Sequence, residues 1–351
     1  MSQFHSLTIS HIERLTATSV AISFAIPENL KAAYTFKAGQ YITLKTTLNA
    51  DEVRRDYSLC VSPKSDELKV AVKEVEKGLF SKYANTKLNV GDVLEVSEPN
   101  GRFIFEPNAE KTRTIVAFAA GSGITPILSI VKTVLEEEPF SNMILVYGNK
   151  SKTDAMFFED LINLKTRYGN RFHVHFIFSR TNEEDALFGR IEKSTVNLIL
   201  KNKYKDVTID SFYLCGPEDM IHVVKDTLTE HGVKDSKIHF ELFSNPANSE
   251  NTTIEVSDGM AEIKVIVDDE SFEFNMNNSK TILEAALKQD IDAPYSCQGG
   301  ICSSCIARVT EGTAEMRQNN ILTDGEVAEG LILTCQAQPT SSKIIVDYDD
   351  V

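Results

Sequence analysis

Alternating apolar and polar positions dominate the first 107 residues of the chain. Short segments with this period of two are rich in β-branched residues and are separated by Gly, Pro and Asn. Short strands at such spacing predict an antiparallel β-barrel or a β-sandwich for residues 1–107. The predicted strands are SVAISFAI, QYITLKT, DYSLCVS, LKVAVKEV and DVLEVSEP.

The pattern changes near Thr112, where apolar runs become continuous. TRTIVAFAA is a strand-length run, followed by a turn, GSGITP, and by ILSIVKTVLEEE, in which Ile127, Ile130 and Val134 mark one helical face. Further buried strands are NMILVYGN, HVHFIFSR and SFYLCG, and a helix, PEDMIHVVKDTLTEHG, follows the last of them. Strands that alternate with helices predict a parallel α/β sheet for residues 108–243.

A polar segment, SNPANSEN, separates this sheet from the rest of the chain and has the composition of an interdomain linker, which we place at residues 244–256. Residues 257–351 are predicted to form a third, α+β domain. Its elements are two strands, EIKVIVDD and SFEFNMN, a helix, KTILEAALKQ, a cysteine-rich loop, and a closing strand, SKIIVDYDD.

Composition and charge restrict the classes of function. The chain has 351 residues, 42% of them apolar, and a formal net charge of −15, and residues 257–351 alone hold 17 acidic and 6 basic residues. The negative potential of these charges disfavours binding to nucleic acid and to anionic membranes, and it favours a protein partner with a basic patch. The alternative is that the acidity only keeps the protein soluble. No apolar run has the length of a membrane span, and the start lacks a secretory pattern, so a cytoplasmic protein is expected.

Four of the six cysteines cluster in the last fifth of the chain. Four residues separate the first cysteine from the second, and two separate the second from the third. The fourth cysteine follows the third after 29 intervening residues. This is the plant-type spacing for a [2Fe–2S] cluster, and Gly299 and Gly300 allow backbone N–H groups to approach the sulfurs. A zinc site is the alternative, but zinc knuckles usually pair their cysteines. The predicted ligands are Cys297, Cys302, Cys305 and Cys335.

A one-electron centre cannot take a hydride from a nicotinamide directly, so a flavin and a nicotinamide site are expected elsewhere in the chain. GSGITP, between a strand and a helix, is suited to a pyrophosphate: Gly121 and Gly123 permit close approach, Thr125 is expected as the N-cap and Pro126 as the first helical residue. Pro126 stands where the usual dinucleotide fingerprint has a third Gly.

Other segments have weaker signals of the same kind. CGPEDM repeats the strand–turn–helix arrangement, and Cys215 in it is either a thiol beside a nicotinamide ring or an ordinary buried residue. In RRDYSL, Tyr57 and Ser58 are expected on opposite faces of a strand, with Arg55 on the face of Tyr57. KGLFSKY is expected to form a small turn able to meet a pyrophosphate.

Taken in order, RDYS, GLFS, GSGITP, CGPEDM and ELF resemble the ferredoxin–NADP reductase superfamily, and YSCQGGICSSC with LTCQAQP resembles a plant-type ferredoxin fused to it. The order of domains is similar to that of oxygenase reductase components, including those of phenylacetyl-CoA epoxidase and of steroid and aromatic-ring oxygenases. The resemblance implies an antiparallel β-barrel flavin domain, an α/β nicotinamide domain with a parallel sheet and a β-grasp ferredoxin domain.

The resemblance also implies the site residues. It implies that Arg55, Tyr57 and Ser58 bind the flavin. It also implies that the flavin pyrophosphate is bound by Gly78, Leu79, Phe80 and Ser81. The nicotinamide dinucleotide is expected to be bound by Gly121, Gly123, Ile124 and Thr125. Near its nicotinamide ring the resemblance places Cys215, Gly216 and Pro217. Glu241 and Phe243 are placed against the isoalloxazine, and the implied catalytic residues are Ser58, Cys215 and Glu241. FAD is favoured over FMN by overall likeness.

Coenzyme choice depends on Ser179 and Arg180, which end a strand where the adenosine ribose is expected. An Arg there suits a 2′-phosphate, so NADPH is predicted over NADH. The function predicted is an NAD(P)H-dependent reductase that passes electrons through FAD and a [2Fe–2S] cluster to an oxygenase, hydroxylase or desaturase. The alternatives are a general reductase that serves a separate small electron carrier, and a redox-sensing interaction protein.

Overall fold

The computed structural model describes residues 3–243 and 259–351, so the predicted linker at 244–256 lies outside the described residues. Contacts divide the chain into two compact units: Phe4–Phe243 is one, and residues 259–351 belong to the other. No described helix has the length and apolarity required to cross a bilayer.

The first part of Phe4–Phe243 is a six-stranded antiparallel barrel, which confirms the barrel alternative. The strands follow the order β4-β3-β6-β1-β2-β5, and a bridge between Leu59 and Val70 joins the two ends of the sheet. The barrel encloses an apolar core and is accompanied by one short helix, α1. The elements are β1 (Phe4–Thr16), β2 (Ser19–Ala25), β3 (Tyr41–Leu48), β4 (Asp51–Ser58), β5 (Leu68–Lys73), α1 (Leu79–Thr86) and β6 (Val93–Ser97).

The second part is a six-stranded parallel sheet with the order β10-β9-β8-β7-β11-β12, as the continuous apolar runs predict. The chain fills one side of β7 and then returns to place β11 on its other side, so the strand order reverses between these two strands. In such a sheet the ligand crevice lies at the carboxyl ends of the strands at that reversal. The elements are β7 (Thr114–Ala120), α2 (Ile124–Glu137), β8 (Asn142–Asn149), α3 (Phe158–Tyr168), β9 (Phe172–Phe178), β10 (Leu187–Phe188), α4 (Lys193–Asn197, continued by a π-helical segment, Leu198–Lys203), β11 (Ser211–Gly216), α5 (Glu218–Glu230) and β12 (Ile238–Leu242).

The barrel and the parallel sheet share a packed interface. The Ser129 hydroxyl on α2 donates to the Val61 carbonyl at 2.6 Å. The Tyr213 ring on β11 packs edge-on against Phe103 and Phe105, with centroids 5.6 and 6.0 Å apart. These contacts hold the parallel sheet against the barrel.

The remaining unit has the mixed sheet expected of a β-grasp domain. Its order is β14-β13-β19-β15-β17, in which β13 and β19 are parallel and the other pairs antiparallel, and β16 and β18 form a separate ribbon. Thr281 begins α6 as a capping box, since its hydroxyl accepts from the Glu284 N–H. The elements are β13 (Met260–Val267), β14 (Glu270–Asn277), α6 (Ile282–Leu287), β15 (Ile306–Glu311), β16 (Ala314–Met316), α7 (Asp324–Ala328), β17 (Leu331–Leu333), β18 (Ala337–Pro339) and β19 (Lys343–Asp347).

Candidate functional site

The glycines of GSGITP allow two strand ends to meet backbone to backbone. Gly121 has φ +56°, which favours glycine, and a Cβ added to Gly123 would lie 2.1 Å from the Cys215 carbonyl oxygen. A Cβ on Gly216 would lie 2.8 Å from the end of Met220 and 3.1 Å from a backbone nitrogen. The turns after β7 and β11 therefore form one continuous wall of backbone at the crevice.

The prediction that Thr125 caps α2 is wrong. A 3₁₀ turn at Gly121–Gly123 runs directly into the helix, which begins at Ile124 with Gly123 at the N-cap. Thr125 is buried within the first turn, and its hydroxyl donates to the Ser122 carbonyl at 3.0 Å. No side chain caps α2. The positive end of this helix is therefore free to meet an anion.

Ser58, Cys215 and Glu241, the three residues expected to be catalytic, come together across the barrel–sheet interface. Cys215 and Glu241 are paired neighbours on β11 and β12, and Ser58 at the end of β4 donates to a Glu241 carboxylate oxygen at 3.4 Å. Cys215 is completely buried, and burial, with a smaller effect of Glu241, raises the pKa of its thiol well above the usual value. The thiol thus stays protonated at neutral pH.

The Glu241 carboxyl in the crevice has a pKa far above its usual value. Burial and, to a smaller extent, the nearby Asp56 carboxylate raise its pKa to about 8, while the Ser58 hydrogen bond acts in the opposite direction. Asp56 is held by the Thr43 hydroxyl, which donates to it at 2.6 Å. Nothing in the local sequence singles out Asp56, because its charge acts on a residue that is far away in the chain. A neutral carboxyl at pH 7 is able to donate a hydrogen bond or a proton.

The predicted flavin strand has the expected alternation. Arg55 is exposed, Tyr57 is half-buried, and Ser58 is buried. The Tyr57 ring lies 5.5 Å from the Phe80 ring, tilted by 36°. Tyr57 and Arg55 thus face one side of β4, as predicted, and Ser58 faces the other.

GLFS does not form the small turn that the sequence suggests; it begins α1. Gly78 is the N-cap, and a Cβ there would lie 2.3 Å from the Ser81 hydroxyl oxygen. Ser81 and Phe80 are buried, Leu79 is half exposed, and the Ser81 hydroxyl accepts from the Val75 N–H at 3.2 Å. The bend before α1 is therefore compact and leaves the helix N-terminus without a side-chain cap.

Lys73, at the end of β5, is a candidate that the sequence analysis missed. Its half-buried ammonium lies 4.0 Å from the Cβ position of Gly121, and burial lowers the pKa of Lys73. Among the described residues it makes no side-chain hydrogen bond or ion pair, although Asp154 acts on it at longer range. A desolvated cation beside an uncapped helix N-terminus indicates an anion site. Its only signal in the sequence is a lysine that ends a buried strand.

The other predicted coenzyme residues follow neighbouring strands of the same sheet. The Ser179 N–H donates to the Asn149 carbonyl at 3.0 Å, and the Arg180 N–H to the Lys150 carbonyl at 2.8 Å. The Arg180 side chain is exposed. Of the remaining predicted residues, Pro217 is the N-cap of α5, and Phe243, directly after β12, is 41% exposed.

The four predicted ligand cysteines carry free thiols in the ferredoxin-like unit, three of them buried and Cys297 half-buried. A hydrogen bond to Cys335, followed by burial, raises the pKa of Cys305, and Cys297 is near enough to raise it further. The loop has left-handed backbone at Gln298 (φ +51°) and Gly300 (φ +70°). The Gly299 N–H consequently donates to the Cys297 sulfur at 3.3 Å.

This donor set fits a two-iron cluster better than zinc. A zinc ion needs four ligands within about 2.3 Å of one point. A [2Fe–2S] cluster divides its four thiolates between two irons and accepts N–H donors to its sulfurs, as this loop provides.

Comparison with known proteins agrees with each part. Family profiles match at residues 6–105 (oxidoreductase FAD-binding domain), 118–226 (oxidoreductase NAD-binding domain) and 265–340 (2Fe-2S iron-sulfur cluster binding domain). A subunit of the 1,2-phenylacetyl-CoA epoxidase of Escherichia coli is 38% identical over 99% of both chains. The ferredoxin reductase component of 3-ketosteroid-9-alpha-monooxygenase from Rhodococcus rhodochrous is 30% identical over 97% of this chain and 96% of the relative.

The fold also matches a solved structure over nearly the whole length. Phthalate dioxygenase reductase superposes with a TM-score of 0.61 and 23% identity, covering 98% of both chains. Three domains in the same order, with full-length relatives at 30% identity or more, determine the family. The chain belongs to the ferredoxin–NADP reductase superfamily, in the group of oxygenase reductase components that carry a C-terminal [2Fe–2S] ferredoxin domain.

Proposed function

We propose that this protein is an NAD(P)H-dependent reductase that delivers electrons, through FAD and a [2Fe–2S] cluster, to an oxygenase, hydroxylase or desaturase. The observation that carries the proposal is the presence, on one chain, of a flavin barrel, a nicotinamide sheet and a ferredoxin domain, each with a matching family profile. Flavin, when bound, supplies the conversion of a two-electron donor into single electrons.

The barrel residues are assigned to the flavin. Arg55 is assigned to its phosphate, Tyr57 to its ring and ribityl chain, and Ser58 to the ring edge that faces Glu241. The backbone of residues 78–81 and the uncapped start of α1 suit a pyrophosphate, because N–H groups there have no side-chain acceptor. Phe243, exposed directly after β12, is assigned to the isoalloxazine.

The nicotinamide coenzyme is assigned to the crevice at the strand reversal. The first turn of α2 and Lys73 together provide the positive potential for its pyrophosphate. Cys215 and Gly216 then lie beside the nicotinamide, where the buried thiol packs as a small, neutral group. Glu241, protonated at neutral pH, is placed to donate a hydrogen bond to the reacting rings.

The coenzyme is proposed to be NADPH. Ser179 and Arg180 follow β9 at the same edge of the sheet, and the exposed guanidinium is suited to a 2′-phosphate. Arg180→Ser is expected to lower kcat/KM for NADPH by about tenfold, the value of one charge-assisted contact, and to leave NADH turnover unchanged. An unchanged NADPH/NADH ratio in Arg180→Ser, or wild-type turnover with NADH that equals or exceeds NADPH, would refute the choice.

Cys297, Cys302, Cys305 and Cys335 are proposed as the four cluster ligands. The terminal acceptor is proposed to be an oxygenase component, because relatives that match almost end to end belong to a phenylacetyl-CoA epoxidase and to a ketosteroid monooxygenase. The acidic third domain suits a basic docking face on this partner. A cytoplasmic location is proposed as well.

An anaerobic titration with NADPH tests the function. The flavin absorbance should bleach, and the signal of the reduced cluster should then appear as further equivalents are added. The matched control is Cys60→Ser, which alters a buried thiol in the barrel and should leave both signals intact. Flavin that bleaches while the cluster stays oxidised would contradict the proposed route.

A further inference from the structure

Gln336, directly after Cys335, joins the two separate segments of the cysteine site. Its side-chain nitrogen donates to the Gln298 carbonyl at 2.9 Å and lies 3.8 Å from the Cys335 sulfur. A backbone carbonyl only accepts hydrogen bonds, so the nitrogen of the amide must face Gln298. The second N–H of the same nitrogen is then available to Cys335.

The segment that Gln336 holds is a strained one. Gln298 is a non-glycine residue with φ +51°, and it lies between Cys297 and Gly299, whose N–H donates to the Cys297 sulfur. A Cβ on Gly300 would lie 3.0 Å from Gln336 Cγ, so this side chain packs closely over the loop. Gln336 therefore secures the backbone that presents N–H groups to the sulfurs.

We propose that Gln336 is a positioning residue that raises the reduction potential of the iron–sulfur cluster by donating a hydrogen bond to the Cys335 thiolate. The proposal rests on the assignment of Cys335 as a cluster ligand. A reduced cluster carries one more negative charge than an oxidised one, so a donor to a ligand sulfur stabilises the reduced form more. Removing the donor must lower the potential.

Gln336→Leu removes both donor hydrogens and keeps most of the side-chain volume. Gln336→Asn keeps the amide but shortens its reach by one methylene group. We expect each change to reduce the equilibrium constant for cluster reduction by about tenfold, which for one electron is a potential lower by about 59 mV. Gln289→Leu, at an exposed glutamine after α6, is the matched control and should leave the potential unchanged.

The measurement is an anaerobic redox titration of the full chain, with the reduced cluster followed by electron paramagnetic resonance and the flavin by absorbance. The flavin potential should be the same in all variants and acts as an internal reference. A cluster potential in fully loaded Gln336→Leu and Gln336→Asn equal to that of wild type would overturn the proposal. Failure of both variants to hold a cluster, with Gln289→Leu loaded, would also overturn it, since Gln336 would then be structural only. A wild-type chain that forms no cluster would instead contradict the proposed function.

Discussion

Replacing Asp56 with Asn should change the pH dependence of flavin reduction. The proposed role of Glu241 requires its neutral form, because a carboxylate beside the flavin opposes the negative charge that reduction brings to the ring. Flavin reduction should therefore be fast below the Glu241 pKa of about 8 and slow above it. Asp56 carries a charge that raises this pKa, so the Asn variant should lose activity at a lower pH.

The size of the effect follows from the positions of these groups. Asp56 and Ser58 lie two positions apart on one face of β4, about 7 Å along the strand, and Ser58 touches Glu241. At about 7 Å and an effective dielectric constant of about 20, a unit charge changes the free energy of ionisation by about 2.4 kcal/mol, or about 1.7 pKa units, as an upper bound. Because burial is the larger cause of the raised pKa, we expect a fall of about one unit.

Cys215 on β11 pairs with Glu241 on β12, and Tyr213 and His239 stack on each other two positions earlier on the same strands. Of the surrounding groups, only Asp56 and Ser58 act on the pKa of Glu241, together with burial. With a pKa about one unit lower, the protonated fraction at pH 8 falls from about one half to about one tenth. Stopped-flow measurement of flavin bleaching by NADPH between about pH 6 and pH 9.5 gives the rate as a function of pH. The fall in rate on the alkaline side, the alkaline limb, reports the pKa of Glu241 directly.

Two variants act as controls. Asp51→Asn removes the same charge from the exposed start of the same strand and should leave the profile in place. Glu241→Gln should abolish the alkaline fall in the rate of flavin reduction. An Asp56→Asn profile that coincides with wild type would refute the electrostatic reasoning, and a limb that persists in Glu241→Gln would show that another group titrates.

Three further changes have definite expected outcomes. Gly123→Ala should destabilise the chain by about 1–3 kcal/mol or abolish NADPH binding, because its Cβ would lie 2.1 Å from the Cys215 carbonyl oxygen. Thermal unfolding measures the stability and an NADPH titration measures the binding. The control Gly325→Ala, at an open position, should change neither the stability nor NADPH binding. Lys73→Met should raise KM for NADPH about tenfold with little change in kcat, since it removes one charge-assisted contact; an unchanged KM would exclude Lys73 from the coenzyme site. Cys335→Ser should eliminate the cluster signal while NADPH still bleaches the flavin, and a normal cluster spectrum in that variant would exclude Cys335 as a ligand.

The sequence predicted best those elements that are buried on both faces. β7 and β8 are continuous apolar runs, and the structure places them close to the predicted positions. β1 was missed because only a few of its 13 residues, such as Leu7 and Ile9, are deeply buried, so the apolar pattern is faint. The start of α2 was misjudged because the preceding 3₁₀ turn, which depends on backbone contacts with β11, moves the cap to Gly123.

The crevice shows the same division between local and non-local information. Gly121 and Gly123 were recognisable because a tight strand–turn–helix connection has a local signature. The contact between Ser58 and Glu241 joins residues 183 positions apart, and no local pattern reports it. Lys73 was missed for the same reason, since only the folded barrel brings it to the turn after β7.

Rapid mixing of the oxidised protein with NADPH under anaerobic conditions, with freeze-quenched samples, tests the central claim most directly. The claim is that electrons reach the iron–sulfur cluster only through the flavin. The account predicts that loss of flavin absorbance precedes the paramagnetic signal of the cluster, and that flavin-free protein shows no cluster signal at any time. Cluster reduction by NADPH in flavin-free protein, or a cluster that never reduces after the flavin has bleached, would contradict the account.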